Sequence, residues 1–288
     1  MEDALSALDT TATHTPTASV VIRPTSGPVP PRLDELWSFR ELFAILVWRD
    51  IKVRYAQTKL GFAWMLFQPL ALLLVYTFAF SHLARVTIPG IPYPVFALSG
   101  LTLWIFVSRA TLTGSESLVM NIAVVTKTPA PRILIPLAAN VSVLVDYFVS
   151  FVLFVIIAAL YGFYPTWEIV FTLPLLLATF ALTTGLTLFL AATNVRYRDV
   201  GQALPFLVTL WFFLSPIAYQ LQTPGHSWQT IVQAANPLVG LLLAFRWALL
   251  GTPAPHGMLV AALLVTTVVF AFGVVRFAHA ERTLADDA

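Results

Sequence analysis

Residues 37–70 read WSFRELFAILVWRDIKVRYAQTKLGFAWMLFQPL, and this stretch decides how the rest of the chain is interpreted. Its first part repeats apolar side chains at helical spacing between Phe39 and Leu46, with Arg40 and Glu41 on the other side. The pattern predicts an amphipathic helix. In a soluble protein it would be a core helix before a basic loop, whereas in a membrane protein it would lie in the interface, so the class of the whole chain must be settled first.

A basic collar follows this helix. Arg49, Lys52, Arg54 and Lys59 lie close together, and after Lys59 no charged or histidine side chain occurs before His82. An interface helix, a basic collar and a first transmembrane helix would produce this order of residues.

The composition predicts a polytopic membrane protein. The chain is 58% hydrophobic and 10% charged, whereas soluble domains are about 25% charged. Its apolar stretches are long enough to cross a hydrocarbon core of about 30 Å as helices, and the short alternating segments of a β-barrel are absent. The net charge of +2 gives no reason to expect nucleic acid as a partner, and with no cysteine the chain has neither disulfides nor thiolate metal sites.

We divide the chain into four parts. A disordered cytosolic tail (1–31) precedes the amphipathic interface helix and its basic collar (32–59), and a six-helix transmembrane domain (60–280) precedes a second cytosolic tail (281–288). The predicted spans cover approximately 61–80, 95 onwards, 133–160, 169–192, 200–219 and 257–278.

The basic residues predict the topology, because cytosolic loops carry an excess of lysine and arginine. If the N-terminus is cytosolic and 231–250 does not cross, Arg85 and Arg246 are the basic residues left outside. If 231–250 crossed, Arg276 and Arg282 would also lie outside and the bias would weaken. We therefore predict six spans, both termini cytosolic, and a re-entrant or paired short helix on the outer side between spans five and six.

The second span is unusually polar. It contains Arg109, Glu116 and four Ser or Thr residues between 111 and 117, so we expect it to face protein or a water-filled path rather than lipid. Asp146 is the corresponding acid of the third span. Glu116 and Asp146 each either make a polar contact inside the helix bundle or take part in a proton relay.

Signatures of enzyme chemistry are missing from the sequence. No Gly-Lys dipeptide occurs, so the chain has no Walker A loop for ATP phosphates, and the scattered histidines do not form a metal-ligand spacing. We therefore expect no catalytic residues, no metal site and no cofactor bound by this chain.

Five segments together resemble the membrane subunits of ABC-2-type exporters of polysaccharides, the family that exports O-antigen, capsule, teichoic acid and galactan. They are RDIKVRYAQTKLGFAWMLFQPL (49–70), GLTLWIFVSR (100–109), KTPAPRILIPLA (127–138), NVRYRDV (194–200) and ANPLVGLLLAFRWALLG (235–251). The resemblance extends from about residue 35 to the C-terminus, and the five segments occur in the order typical of the family.

The resemblance implies a place and a set of partners. The chain would be a multi-pass protein of the bacterial cytoplasmic (inner) membrane that forms a homodimer with two copies of a separate ATPase subunit, which binds ATP and Mg. The substrate would be a lipid-linked glycan passing between the two copies. The alternatives are an ABC-2 exporter of lipids or drugs, and a proton-coupled secondary transporter that uses Asp146 or Glu116.

The resemblance also implies roles for the basic segments. The collar would bind the anionic headgroup of the substrate, although anchoring to anionic lipid and docking of the ATPase explain the same charges. The segment KTPAPR would be a coupling helix that enters a groove on the ATPase, with NVRYRD as a second contact, while positive-inside anchoring is the alternative for both. The coupling residues are Lys127, Pro129, Pro131, Arg132, Arg196, Arg198 and Asp199.

The path and its outer gate complete the predicted sites. Aromatic faces can stack on sugar rings, although such residues also face lipid or form interface belts. The candidates for the path are Trp64, Phe67, Tyr76, Trp104, Trp211 and Phe212. In the outer gate, Asn236 and Pro237 would lie at the break between two short helices, and Arg246 would need a carboxylate, a lipid phosphate or solvent.

Overall fold

The computed structural model describes residues 33–55, 63–83, 85–122, 130–220, 231 and 233–281. The regular elements of these residues are all helical, which confirms the predicted all-α class for this part of the chain. They are α1 (Leu33–Ser38), α2 (Arg40–Tyr55), α3 (Ala63–Tyr76), α4 (Tyr93–Met120), α5 (Leu134–Leu160), α6 (Thr172–Arg196), α7 (Asp199–Phe213), α8 (Pro237–Leu250) and α9 (His256–Ala280). A π-helical segment, Thr77–Leu83, extends α3, and a 3₁₀ helix, Trp167–Phe171, leads into α6. The predicted tail 1–31 lies outside the described residues, and so does the predicted tail 281–288 except for Glu281.

Five helical stretches of the described residues are long and apolar enough to cross a membrane. They correspond to predicted spans one to four and six. Their bounds are Ala63–Leu83, Tyr93–Met120, Leu134–Leu160, Trp167–Arg196 and His256–Ala280.

The fifth predicted span is shorter than expected. The pattern predicted a helix over 200–219, but α7 ends at Phe213 after 15 residues, a length of about 22 Å, and turns follow it as far as Tyr219. Pro216 explains the early end, because proline has no N–H to donate and its ring clashes with the carbonyl one turn earlier. An apolar stretch alone does not reveal this break.

α4 is the central helix of the bundle. Of its most apolar stretch 83% is buried within the protein, compared with 17% for α9, so α4 is surrounded by other helices. Its buried hydroxyls donate to carbonyls one turn earlier, as Thr102 does to Leu98 and Thr111 to Val107, both at 2.8 Å. The prediction that the second span faces protein is confirmed, although Glu116 near its end is exposed.

Glycines allow α9 to approach two other helices closely. A Cβ added to Gly185 of α6 would lie 2.6 Å from the Cα of Phe270, and one added to Gly240 of α8 would lie 2.6 Å from the Cβ of Ala262. Small residues at such crossings increase the van der Waals contact that holds helices together in lipid. α9 therefore packs closely against α6 and α8, although most of its surface is not covered by the protein.

Candidate functional site

The apolar side of α2 packs against the protein. Leu46 is buried in a cluster with Leu118 near the end of α4 and with Ile133 just before α5. Ile45 and Trp48, on another side of α2, are exposed. Leu46 therefore holds α2 against the bundle, with Leu42 and Phe43 partly buried beside it, and α2 also exposes a second apolar strip to its surroundings.

Asp146 joins the end of α2 to the middle of α5. Its carboxylate is only 2% exposed. Arg54 donates from Nη1 to Asp146 Oδ2 at 2.8 Å and from Nη2 to Ser142 Oγ at 3.1 Å, so it binds two residues one turn apart on α5. The Tyr55 hydroxyl donates to the other carboxylate oxygen. Burial, and then this hydrogen bond, raise the pKa of the Tyr55 hydroxyl, which keeps its proton for donation.

Arg109 brings α4 and α3 to the same carboxylate. Its Nη1 lies 3.0 Å from Asp146 Oδ1 and 3.3 Å from the Tyr55 hydroxyl, and its Nη2 donates to Gln68 Oε1 on α3. Two arginines thus share one aspartate. We call these residues the Asp146 cluster: Arg54, Tyr55, Gln68, Arg109, Ser142 and Asp146.

The collar residues do not form one basic patch. Arg49 is bound to Asp50 at 2.7 Å, Arg54 belongs to the Asp146 cluster, and Lys52 is exposed. Lys59 lies outside the described residues. The charges that the sequence groups together therefore have separate surroundings.

An inner cavity of about 430 Å³ lies between α2 and the last turns of α4. Arg49, Asp50 and Arg54 line it from α2, and Thr113 and Glu116 line it from α4. The two acids of the predicted spans therefore differ: Asp146 makes polar contacts inside the bundle, whereas Glu116 is exposed at this cavity.

An aromatic groove of about 360 Å³ lies between α3, α4 and α7. Tyr76 and Trp104 both pack against Phe212 in its wall, with ring centroids 5.3 Å and 5.4 Å from that of Phe212. Ser108 and Thr209 also line the groove. A site with flat apolar walls and few polar groups can hold ring-shaped ligands without a single fixed orientation.

Three of the six aromatic candidates line this groove, namely Tyr76, Trp104 and Phe212, and Trp211 packs behind them. Trp211 lies edge-on to Trp104, with ring centroids 6.0 Å apart. Trp64 and Phe67 pair instead with each other, at 5.2 Å, and both are exposed on α3. The structure therefore groups Tyr76, Trp104, Trp211 and Phe212 and leaves out the other two.

Asn236 ties the end of α7 to the start of α8. Its Oδ1 accepts from Trp211 Nε1 at 3.0 Å and caps α8 by accepting from the Leu238 N–H at 3.2 Å. Its Nδ2 donates to Ser215 Oγ at 3.0 Å. Pro237 occupies the first position of α8, where its missing N–H leaves no hydrogen bond unmade.

Arg246 is buried against backbone carbonyls. It is 2% exposed, and its Nη1 and Nη2 donate to the carbonyls of Pro216 at 2.7 Å and Ile217 at 2.6 Å. Its Cζ lies 3.7 Å from the ring centroid of Phe96. The prediction that Arg246 needs a carboxylate, a lipid phosphate or solvent was wrong, because the turn after α7 supplies carbonyls that no helix uses.

The segment before α5 is bound to the end of α9. The Arg132 backbone N–H donates to Glu281 Oε1 at 2.8 Å, and Arg132 Nη1 donates to the Glu281 carbonyl at 2.7 Å. Pro131 is buried. Lys127 and Pro129 lie outside the described residues.

The segment NVRYRD between α6 and α7 exposes its charges. Arg196, Arg198 and Asp199 are all exposed between α6 and α7. Asn194 holds this turn in shape by accepting at Oδ1 from the Gly201 N–H at 3.0 Å. The three charged side chains are therefore presented on a fixed turn.

Sequence reasoning missed four residues of these contacts, namely Tyr55, Gln68, Ser142 and Glu281. A signal existed for Gln68, because it is an amide inside an otherwise apolar span, and for Ser142, which stands one helical turn before Asp146. Tyr55 and Glu281 carried no comparable signal, since their partners are distant in sequence.

The sequence was compared with known proteins. It matches the family described as ABC-2 type transporter over residues 41–250. It is 33% identical to the O-antigen export system permease protein RfbA of Myxococcus xanthus, over 74% of this chain and 81% of that protein. It is also 27% identical to a Klebsiella pneumoniae protein of the same name (72% and 79%), and 26% identical to the polysialic acid transport protein KpsM of Escherichia coli (78% and 87%). These matches confirm the resemblance found in the five segments.

Proposed function

The chain belongs to the ABC-2 type transporter family, and from this premise we propose that it is the membrane-spanning subunit of an exporter that moves a lipid-linked polysaccharide across the bacterial cytoplasmic membrane. Two of the relatives are named for O-antigen export and polysialic acid transport. Within this chain, the aromatic groove carries the proposal, because its flat apolar walls suit sugar rings that must slide past without tight recognition.

The proposed topology has six crossings and two cytosolic termini. α7 and α8 have 15 and 14 residues, so length does not separate a crossing helix from one that does not cross. Arg196 and Arg276 both fall on the inner side only if one of these two helices crosses and the other does not, and we assign the crossing to α7 because α8 carries Arg246. A reporter that is active only outside the membrane should stay silent at the C-terminus, and activity there would exclude this topology.

Energy would come from two copies of a separate ATPase subunit, which bind ATP and Mg. The inner surfaces available for docking are α2 and the turn that presents Arg196, Arg198 and Asp199. The coupling segment that ends at Arg132 has a firm base for this role, because Arg132 is bound to the end of α9 through Glu281.

The path would run between two copies of this chain. The aromatic groove is open towards the surface, and large apolar side chains remain exposed beside it on α3 and α7, including Phe67 and Phe213. A second copy that faced these helices would cover them and close the groove into a channel.

The headgroup of the lipid carrier would bind at the inner cavity. Arg49 lines this cavity, and Lys52 and Lys59 belong to the same collar, whereas Arg54, which also lines the cavity, donates to Asp146 and Ser142. Cations at this depth attract phosphate-type headgroups, while anchoring to anionic lipid and ATPase docking remain the alternative roles of the collar.

Trp104→Ala in the reconstituted complex with its ATPase tests the role of the groove. Export should fall about tenfold, the loss of roughly 1.4 kcal/mol expected when an aromatic stacking partner is removed, while ATPase assembly persists. Trp104 is 8% exposed, so Trp104→Phe, which keeps an aromatic ring there and should retain most of the export, is the matched control; Trp167→Ala, at a tryptophan that is 70% exposed, controls for the loss of an indole elsewhere. Unchanged export in Trp104→Ala would return this residue to a packing role.

The chemistry of the cargo separates the proposal from its alternatives. Lipid or drug transport by the wild-type complex, with no glycan moved, would favour the second kind of ABC-2 exporter. Transport without any ATPase and dependent on a proton gradient would identify a secondary transporter. A lipid-linked glycan that co-purifies with the complex would support the proposed function.

A further inference from the structure

One carboxylate connects four helices of this chain. Asp146 of α5 receives Arg54 and Tyr55 from α2 and Arg109 from α4, and Arg109 also holds Gln68 of α3. The two oxygens divide the work: Oδ2 accepts from Arg54, while Oδ1 lies within reach of Arg109 and Tyr55. None of these helices can shift by a turn without breaking a charge-assisted hydrogen bond.

The cluster depends on Asp146 more than on either arginine. Arg54 and Arg109 point at the same carboxylate from two helices, with side chains 21% and 25% exposed against 2% for Asp146. If Asp146 lost its charge, two like charges would face each other in a region largely shielded from water. If Arg54 alone were removed, Asp146 would keep Arg109 as its partner.

Apolar contacts hold the first part of α2 to the bundle, where Leu42, Phe43 and Val47 pack partly buried around Leu46. Among its described side chains, Leu46 and Tyr55 are the buried ones, and Tyr55 is itself part of the Asp146 cluster. Leu46 packs at the inner ends of α4 and α5, whereas Tyr55 reaches the middle of α5. The end of α2 is therefore held mainly by polar bonds, which have strong directional preferences and break over short distances.

We propose that Asp146 is a positioning residue for transport, which fixes the charged end of α2 to α4 and α5 so that a movement of α2 imposed by the ATPase subunit reaches the transmembrane helices at this carboxylate. The inference rests on the proposed function in one respect, namely that an ATPase acts on α2. It also gives Arg54 a different task from its neighbours in the collar, because its donors are directed at Asp146 and Ser142.

A crosslink reports whether the Asp146 cluster fixes the position of α2. The chain contains no cysteine, so Val53→Cys and Thr113→Cys can be introduced together without competing thiols. Both positions line the inner cavity, one from α2 and one from α4. The yield of joined peptides with a short bis-maleimide, measured by mass spectrometry on the purified subunit, reports the position of α2 and needs neither ATP nor glycan.

Arg54→Gln is the principal variant, because it releases α2 while Asp146 keeps Arg109. The crosslink yield should fall, the ATPase should still assemble and hydrolyse ATP, and the glycan exported per ATP hydrolysed should drop about fivefold or more, the usual scale of coupling between sites. Arg54→Lys keeps the charge and should restore part of both readouts. Asp146→Asn should have a larger effect, and Glu168→Gln is the control for loss of an acid, since Glu168 is a half-buried acid in the connection between α5 and α6, away from the Asp146 cluster.

The outcomes distinguish the structural role of the Asp146 cluster from the proposed function of the protein. A wild-type crosslink yield in Arg54→Gln overturns the inference that Arg54 fixes the end of α2 through Asp146. A reduced yield with an unchanged ratio of export to ATP hydrolysis leaves the cluster as packing and overturns the proposed coupling. If Asp146→Asn fails to insert, Arg54→Gln decides alone. Failure of the wild-type complex to move any glycan would refute the proposed function, while the crosslink would still decide whether Arg54 fixes the end of α2.

Discussion

Gly100→Ala would disturb the contact between α4 and the turn after α7, which Arg246 holds in place. A Cβ at position 100 of α4 would lie 2.6 Å from the Ile217 carbonyl oxygen and 2.9 Å from Arg246 Nη2. That oxygen accepts a hydrogen bond from Arg246 at 2.6 Å. The added methyl group therefore has to displace either the turn after α7 or the arginine that holds it.

The magnitude follows from three opposing terms. Overpacking a filled site costs about 1 to 3 kcal/mol, and losing one charged hydrogen bond costs about 1.5 to 3 kcal/mol. Replacing glycine by alanine within a helix returns about 1 kcal/mol. We expect Gly100→Ala to lower the free energy of unfolding by about 1.5 to 5 kcal/mol, since the two unfavourable terms exceed the gain in helix propensity.

Thermal unfolding of the purified subunit in detergent, followed by tryptophan fluorescence, measures this change. About 2 to 4 °C per kcal/mol is typical for chains of this size, so the midpoint should fall by several degrees. Gly257→Ala is the matched control, because it adds the same methyl group to α9 where nothing lies within 4 Å. A midpoint for Gly100→Ala equal to or above that of Gly257→Ala would refute the reasoning about this contact.

Two further predictions concern the contacts of α8 and α9. Asn236→Ala removes the cap of α8 and the acceptor for Trp211, so it should destabilise the protein by about 1 to 2 kcal/mol. It should also shift the fluorescence maximum of Trp211, measured in a variant that keeps Trp211 as its only tryptophan. An unchanged spectrum would contradict the hydrogen bond. Gly273→Ala would place a Cβ 2.8 Å from the Cα of Gly185. The atoms that this Cβ would meet belong to the backbone of Gly185 and cannot rotate away, so the substitution should lower the unfolding midpoint at least as much as Gly100→Ala. A midpoint equal to that of the Gly257→Ala control would show that α6 and α9 can separate freely.

The spans were predictable because membrane crossing depends on composition averaged over about twenty residues. The extent of α7 was not, since Pro216 ends the helix inside a stretch whose hydropathy stays high. The groove was predictable only in part: Tyr76, Trp104, Trp211 and Phe212 look no different in sequence from Trp64 and Phe67. Which aromatic side chains face each other depends on how helices rotate about their axes, and hydropathy does not report that rotation.

The Asp146 cluster shows the same limit for charged residues. Arg109 and Asp146 were each recognisable as charges inside apolar spans, so a pairing between spans was foreseeable in kind. Arg54 is 92 residues from Asp146, and its position next to Arg49 and Lys52 suggested a shared role in a basic collar. Only packing distinguishes an arginine that is bound inside the bundle from neighbours that meet solvent, lipid or a partner.

The buried charge of Arg246 also bears on the leakage of cations across the membrane. Its positive charge is held against carbonyls and an aromatic ring, with no counter-ion of its own among its described contacts. At an effective dielectric of about 20, a second cation about 8 Å away would be disfavoured by about 2 kcal/mol, roughly a thirtyfold reduction in occupancy. A passage that opened beside this residue would therefore discourage hydronium and metal ions while leaving neutral or anionic sugars unopposed. Such a filter would allow a pore wide enough for a polymer to open without collapsing the ion gradients of the membrane.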